Sequence, residues 1–250
     1  MRYSANLNVI IKAIEKATIH TPRDFNELEN LQSNPALADK FAVACYNRIK
    51  QILVQDFSKF RPDYNLIFSD GQQIIKKQDA EYSYVIFPID GFENLTRSNP
   101  DFTVAVALEH LDENGQRQAI SVAISKIIGN ELYYCEKGFG AYLNNRRLRV
   151  SKRANCKFPL MVTEDQLLLS KKISSTSFAI RYYGCRTLEL AYLASARFEG
   201  ALFQKQNCEL LKPFLLLVKE AGGIIIEDEK FILIYNAPIQ PDQNFLFRQE

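Results

Sequence analysis

Glu136-Lys137-Gly138-Phe139-Gly140-Ala141-Tyr142-Leu143-Asn144, running on through Asn145-Arg146-Arg147-Leu148-Arg149-Val150-Ser151, is the stretch whose reading settles most about this chain. Two glycines one residue apart, directly after the strand-like run 131–135, mark a tight reversal between strands rather than the start of a helix. The pair Gly138-x-Gly140 therefore is not a dinucleotide-binding fingerprint, which needs a helix to open at the glycines. Asn144-Asn145 supplies the next turn, and the basic run Arg146, Arg147, Arg149, Lys152 and Arg153 reads as one solvated face of a hairpin. Without interleaved aromatics that run argues against nucleic acid as a partner.

Outward from the hairpin, 82–89, 102–110 and 118–125 read as further short strands with Gly and Asn between them. Ahead of them, Leu7, Ile10, Ile11, Ile14 and Ala17 recur at helical spacing, as do Leu37, Phe41, Ala44, Cys45, Ile49, Ile52 and Leu53. Two helices are predicted, joined by a polar turn around His20 to Asp24 and a loop near Ser33 and Pro35. Downstream, strand and helix alternate: a strand at 160–163, a helix from Glu164, a strand at 178–182, and a helix through Leu188, Ala191, Tyr192 and Ala194. A strand at 200–203, a helix over 208–221 closed by Gly222-Gly223, and a strand at 224–226 complete the series. The expected organisation is a helix pair plus a mainly antiparallel sheet in residues 1–150 and an α/β half in 151–250, together one compact unit.

With 250 residues and 47% hydrophobic content the chain is long enough for a sizeable core. Lys+Arg 31 against Asp+Glu 29 leaves a formal charge of +2, so no global field draws it to nucleic acid or an anionic membrane. Charges interrupt the apolar N-terminal stretch and nothing resembles a membrane span, so the expected location is cytoplasmic. Cys45, Cys135, Cys156, Cys185 and Cys208 are scattered and never form a CxxC pair, which speaks against a disulfide framework or structural zinc. His20 and His110 are the only histidines and both read as surface residues.

Four segments in order carry a resemblance: Arg23-Asp24-Phe25 with 27–32; Pro88-Ile89-Asp90-Gly91 with Asn94 and then Pro100-Asp101-Phe102-Thr103-Val104; the Glu136 hairpin; and Leu188-Glu189-Leu190-Ala191-Tyr192 to Gly200 followed by Leu217-Val218-Lys219-Glu220-Ala221-Gly222-Gly223. Together they resemble the inositol monophosphatase family, in particular its bacterial branch, with a shortening around 155–180. The resemblance implies an α+β / α/β layered αβαβα sandwich and Mg²⁺-dependent hydrolysis of phosphate monoesters, in which clustered carboxylates hold the ions.

Matched residue by residue, most of those groups are replaced. Ser69 stands at a metal-binding Glu, Phe87 at a bridging Asp, Phe92 at the water-activating Thr, Tyr46 at its acidic helper, and Leu210 at the Asp of a later helix. The Glu that holds the inositol ring falls at Phe203 or Gln204. Asp90 survives, and with Gly91 and Phe92 marks the phosphate-binding position; Asp70 and Glu93 are the other acids near the motif and Glu209 stands beside the lost Asp, so that Asp70 and Glu209 could join Asp90 in a residual metal site. The bland readings are that Asp90 caps the turn after it and that the other acids are solvated. Phe87, Phe92, Phe203 and Leu210 are the material of an apolar plug. The implied protein is a degenerate member without phosphatase catalysis and with no cofactor, serving as a homodimer, through the Tyr142 hairpin, or as a scaffold for a protein partner. The bacterial branch includes members with a role beside the transcription machinery. The alternative is a residual Mg²⁺-dependent phosphomonoesterase acting on inositol-1-phosphate or a related sugar phosphate.

Overall fold

The computed structural model describes residues 4–153, 159–163 and 179–236. Helix α1 (Ala5–Thr18) starts where the Ser4 hydroxyl accepts from the Leu7 amide at 3.1 Å, and it buries Leu7, Ile10, Ile11 and Ile14. Helix α3 (Pro35–Phe60) begins at the cap Asn34 and buries Ala42, Cys45, Ile49 and Leu53. Between them the expected polar turn is itself a helix, α2 (Thr21–Leu31). Pro22 suits a first helical turn, and Thr21, Asp24, Phe25 and Leu28 form the inward stripe. A buried acid in that stripe hides its helical period, because Asp24 is accommodated by an ion pair with Arg48 of α3.

The helices cover one face of an eight-stranded sheet with strand order β2-β1-β3-β4-β5-β6-β7-β8. Its members are β1 (Asn65–Phe68), β2 (Gln73–Ile74), β3 (Tyr82–Asp90), β4 (Thr103–Leu111), β5 (Arg117–Lys126), β6 (Glu131–Glu136), β7 (Gly140–Leu143) and β8 (Arg146–Arg147). Only β1 and β3 run parallel. Short helix α4 (Phe92–Thr96) follows β3. A second sheet has the order β10-β9-β11-β13-β12, from β9 (Leu160–Thr163), β10 (Ala179–Arg181), β11 (Gly200–Gln204), β12 (Ile224–Glu227) and β13 (Phe231–Tyr235).

Helices α5 (Arg186–Ala194) and α6 (Leu215–Glu220) lie between the two sheets. One core joins Val85, Ala105 and Val122 of the first sheet to Leu188, Leu190 and Leu217 of these helices and to Ala201 and Ile232 of the second sheet. The chain is thus a sandwich of alternating helical and sheet layers, as the sequence implies. The expected helix over 208–221 is much shorter. Residues at 205–211 form turns, Lys212–Phe214 is a 3₁₀ turn, and only Leu215–Glu220 is α-helical. Pro213 explains this, since its ring collides with the carbonyl four residues back and it has no amide to donate. The helix predicted from Glu164 lies outside the described residues. No helix among those described is long and apolar enough to cross a membrane.

Candidate functional site

Strand β3 delivers Asp90 to the mouth between the two sheets, and the chain then turns sharply at Gly91. Gly91 has φ +77°, and a Cβ there would sit 2.9 Å from the Asp101 carbonyl oxygen and 3.0 Å from the Cys185 Cβ. Both backbone angle and space demand glycine. Asn94 clamps the turn by donating its side-chain amide to the Asp101 and Tyr183 carbonyls, 2.7 Å each.

Asp90 does not cap the turn that follows it; α4 has Gly91 as its N-cap and no side-chain cap bond. Its carboxylate instead crosses to the start of α5, where Oδ2 accepts from the Thr187 amide at 2.7 Å and the Thr187 hydroxyl at 2.8 Å. Thr187 is fully buried and its hydroxyl also lies 2.6 Å from that of Thr103. An amide in the first turn of a helix has no partner within the helix, and the helix dipole favours an anion there. Asp90 supplies both, from 97 residues away in sequence.

Two of the cavities around this junction are lined by the predicted site residues. One, of about 480 Å³, is lined by Ser69, Phe87, Asp90, Arg186, Glu209 and Leu210 among others. Asp90 and Leu210 thus share a cleft, as the family alignment requires. Phe87 stands edge-on to Phe214 with ring centroids 5.2 Å apart, and Phe87 and Leu210 pack against the core that holds Phe203. Glu209 is exposed and pairs with Lys212 at 2.8 Å.

The second cavity, of about 350 Å³, is lined by Val43, Tyr46, Ser69, Asp70 and Phe92. Phe92 meets Tyr46 edge-on at 6.1 Å, so it belongs to this corner and not with Phe87, Phe203 and Leu210. Tyr46 donates its hydroxyl to Asp70 at 3.0 Å, and Lys50 forms an ion pair with the same carboxylate. The Lys50 ammonium also lies 4.5 Å from the centroid of the Phe68 ring. Partial burial raises the Asp70 pKa, but hydrogen bonds from Lys50, the Gln72 amide and Tyr46 outweigh it and hold the group below the ordinary carboxylate value. Burial, together with the neighbouring Asp70, pushes the Tyr46 phenol upward.

The sequence-predicted residues therefore divide: Ser69 borders both cavities, Phe87, Asp90, Glu209 and Leu210 meet in one, and Tyr46, Asp70 and Phe92 in the other. Thr187 and Lys50 are the functional partners that the sequence reading missed. Lys50 had a local signal, since it stands one helical turn from Tyr46 on α3; Thr187 had none. Mg²⁺ asks for several oxygen ligands in octahedral array. Among the described residues no three His, Cys, Asp or Glu side chains gather into a set able to hold a metal ion. The donor set does not fit the ion cluster that the resemblance calls for.

Against known proteins, a profile described as the inositol monophosphatase family matches residues 3–230. The chain is 30% identical to an inositol-1-monophosphatase of Rhizobium meliloti, over 89% of this chain and 85% of the relative. It is 27% identical to a protein of Vibrio cholerae named Nus factor SuhB, over 88% of this chain and 84% of that one. Among solved structures, the extragenic suppressor protein suhB of Bartonella henselae superposes with a TM-score of 0.78 at 26% identity, covering 95% of each chain.

Proposed function

This chain belongs to the inositol monophosphatase family, and from that premise we propose that it uses the family's sandwich as a non-catalytic scaffold for a protein partner. The observation that carries the reading is how the remaining acids are spent. Asp90 is bonded to Thr187, Asp70 to Lys50 and Tyr46, and Glu209 to Lys212. Three carboxylates, each held by partners of its own, do not make the clamp that steadies the attacking and leaving oxygens of a phosphate in two-metal chemistry. At the other expected ligand positions, Phe87 and Leu210 offer no lone pair, and Ser69 brings no charge to balance a cation.

The name Nus factor, borne by the Vibrio cholerae relative, supports a partner role; family members that work beside the transcription machinery give that role a precedent. A homodimer is part of the same proposal, and sedimentation at micromolar concentration tests it. The decisive test of the scaffold reading is phosphate release from inositol-1-phosphate at saturating Mg²⁺, with Asp90→Asn as the control for a contaminating enzyme. We expect no turnover above a blank. Turnover that needs Mg²⁺ and disappears in Asp90→Asn would overturn the proposal in favour of a residual phosphatase.

A further inference from the structure

We propose that the face around Phe139 docks an acidic protein segment that carries an apolar side chain. The inference rests on the scaffold reading and names the surface and the chemistry of the partner. Phe139 is 70% exposed, at the tip of the reversal between β6 and β7. An exposed ring on a loose loop would mean little, but this one is held from several sides. Glu220 of α6 accepts from both the Gly138 and Gly140 amides, each at 2.7 Å. The Phe139 amide donates to the Glu136 carbonyl at 3.0 Å, and the Tyr142 hydroxyl donates to the Phe139 carbonyl at 3.2 Å. A ring presented in a fixed position loses little freedom on binding, which is what makes an aromatic an effective anchor.

Cations lie beside the anchor. The Arg147 guanidinium packs directly on Gly140, 3.2 Å from where a Cβ would stand. The Leu148 amide donates to the Ala141 carbonyl, so Arg149 follows alongside the same reversal. Arg146, Arg147, Arg149 and Lys152 are all exposed, and among the described residues none has an ion-pair partner. The acids beside it are already engaged: Glu220 accepts from two amides and the Glu136 carboxylate accepts from the Ser4 amide. Arg153, by contrast, turns inward to the buried Glu199 and is no part of the face. The basic run is thus a structural ion pair at Arg153 plus exposed cations without an ion-pair partner among the described residues, of which Arg147 and Arg149 lie alongside the reversal that carries the ring.

Charge complementarity selects the occupant. A second copy meeting this face about a two-fold axis would set the arginines against their own copies, so the homodimer proposed above would use the strands beside the Tyr142 hairpin and leave the Phe139 tip open. Single-stranded nucleic acid uses several aromatic platforms in succession, and this face offers one. An acidic segment with one apolar residue satisfies both the cations and the ring.

The test is fluorescence anisotropy of the full chain with a labelled acidic peptide of Asp and Glu around a central Leu pair. An amide counterpart, with Asn and Gln at those positions, and an oligouridine serve as comparison ligands. The acidic peptide should bind, and binding should weaken as salt rises through the physiological range. Arg147→Glu with Arg149→Glu should weaken it by about tenfold or more, and Phe139→Ala by about fivefold or more. Arg147→Lys with Arg149→Lys should stay within about threefold, and Lys12→Glu, on the exposed side of α1, should leave binding unchanged. Thermal melts of each variant check that the fold is intact, which exposed positions allow. The proposal falls if the acidic peptide does not bind, if the amide peptide binds equally, if oligouridine binds more tightly than the peptide, or if Phe139→Ala and the double Glu variant leave binding intact. None of these outcomes bears on the phosphatase assay, so the docking face and the scaffold reading fail separately.

Discussion

The resemblance makes Asp90 a metal-ligand position, and here it is bonded to the first turn of α5, so removing it separates the two roles. Asp90→Ala strands the buried Thr187 amide and leaves its hydroxyl with Thr103. A hydrogen bond to a charged acceptor contributes about 1.5–3 kcal/mol, and a helix cap about 0.5–2 kcal/mol. Both bonds here fall on one oxygen at the edge of an open cavity, so the upper ends do not apply and the total comes to about 2–4 kcal/mol. Asp90→Asn keeps one acceptor and should lose about half of that. For a chain of this length each kcal/mol moves the melting temperature by about 2–4 °C, which puts Asp90→Ala roughly 5–10 °C below the parent protein. The assay is denaturant unfolding with thermal melts, each with and without millimolar Mg²⁺. A double-mutant cycle with Thr187→Ala should show coupling of about 1 kcal/mol or more, because the two residues share the bonds. Asp90→Ala as stable as the parent, or a Mg²⁺-dependent stabilisation of the parent that Asp90→Ala abolishes, would refute the structural role.

Gly91→Ala forces a side chain into a left-handed backbone with its Cβ 2.9 Å from the Asp101 carbonyl, and should cost about 2–4 kcal/mol in denaturant unfolding; a neutral result would show that the turn is not built as described. Glu220→Ala unties Gly138 and Gly140, and should cost about 2 kcal/mol while hydrogen exchange at those two amides accelerates; unchanged protection would deny that Glu220 holds the reversal. For Glu131, burial raises the carboxyl pKa, but hydrogen bonds from Arg197 and Tyr133 outweigh it and set the folded value below 4.5. The unfolded chain therefore binds more protons in that window, so this stabilisation is full above about 4.5 and is lost as pH falls through the lowered folded value. Glu131→Gln should flatten that part of the acid limb of stability against pH; an unaltered limb would show that the Arg197 pair contributes nothing there.

What the sequence made legible was whatever the backbone itself demands. The reversal at Gly138 and Gly140, the sharp turn at Gly91, and the alternating strands all depend on conformations that few residues tolerate, so residue type points directly to shape. Helix α2 was illegible because one of its buried positions is Asp24, whose charge is met by Arg48 on another helix. An acid in the stripe looks like a turn until its partner is known. The helix over 208–221 is shorter than its run of apolar leucines suggests, because the constraint at Pro213 overrides that run. The candidate site followed the same division. Loss of a donor at Phe87 or Leu210 is visible in the letter alone, whereas the partners of Asp70 and Asp90 depend on pairings 20 and 97 residues apart.

Those pairings bear on how a family built around bound cations keeps its shape when the ligands are gone. Clustered carboxylates repel one another and normally need metal ions to offset the charge. Replacing two of them by Phe87 and Leu210 removes part of that repulsion and adds apolar surface against Phe214 and the core around Phe203. The acids that remain are each given a resident counter-charge: the ammonium of Lys50 for Asp70, and the positive end of α5 for Asp90. On the scaffold reading, a site neutralised in this way would make no demand on an external ion. Reversal would be correspondingly hard, because an Asp returned at position 87 would enter a place now occupied by edge-on aromatic packing while Asp70 stayed on Lys50. Restoring Phe87→Asp and Leu210→Asp would thus bury two charges near the core without a cation to receive them, even with Ser69→Glu and Phe92→Thr added, unless Lys50 were also removed.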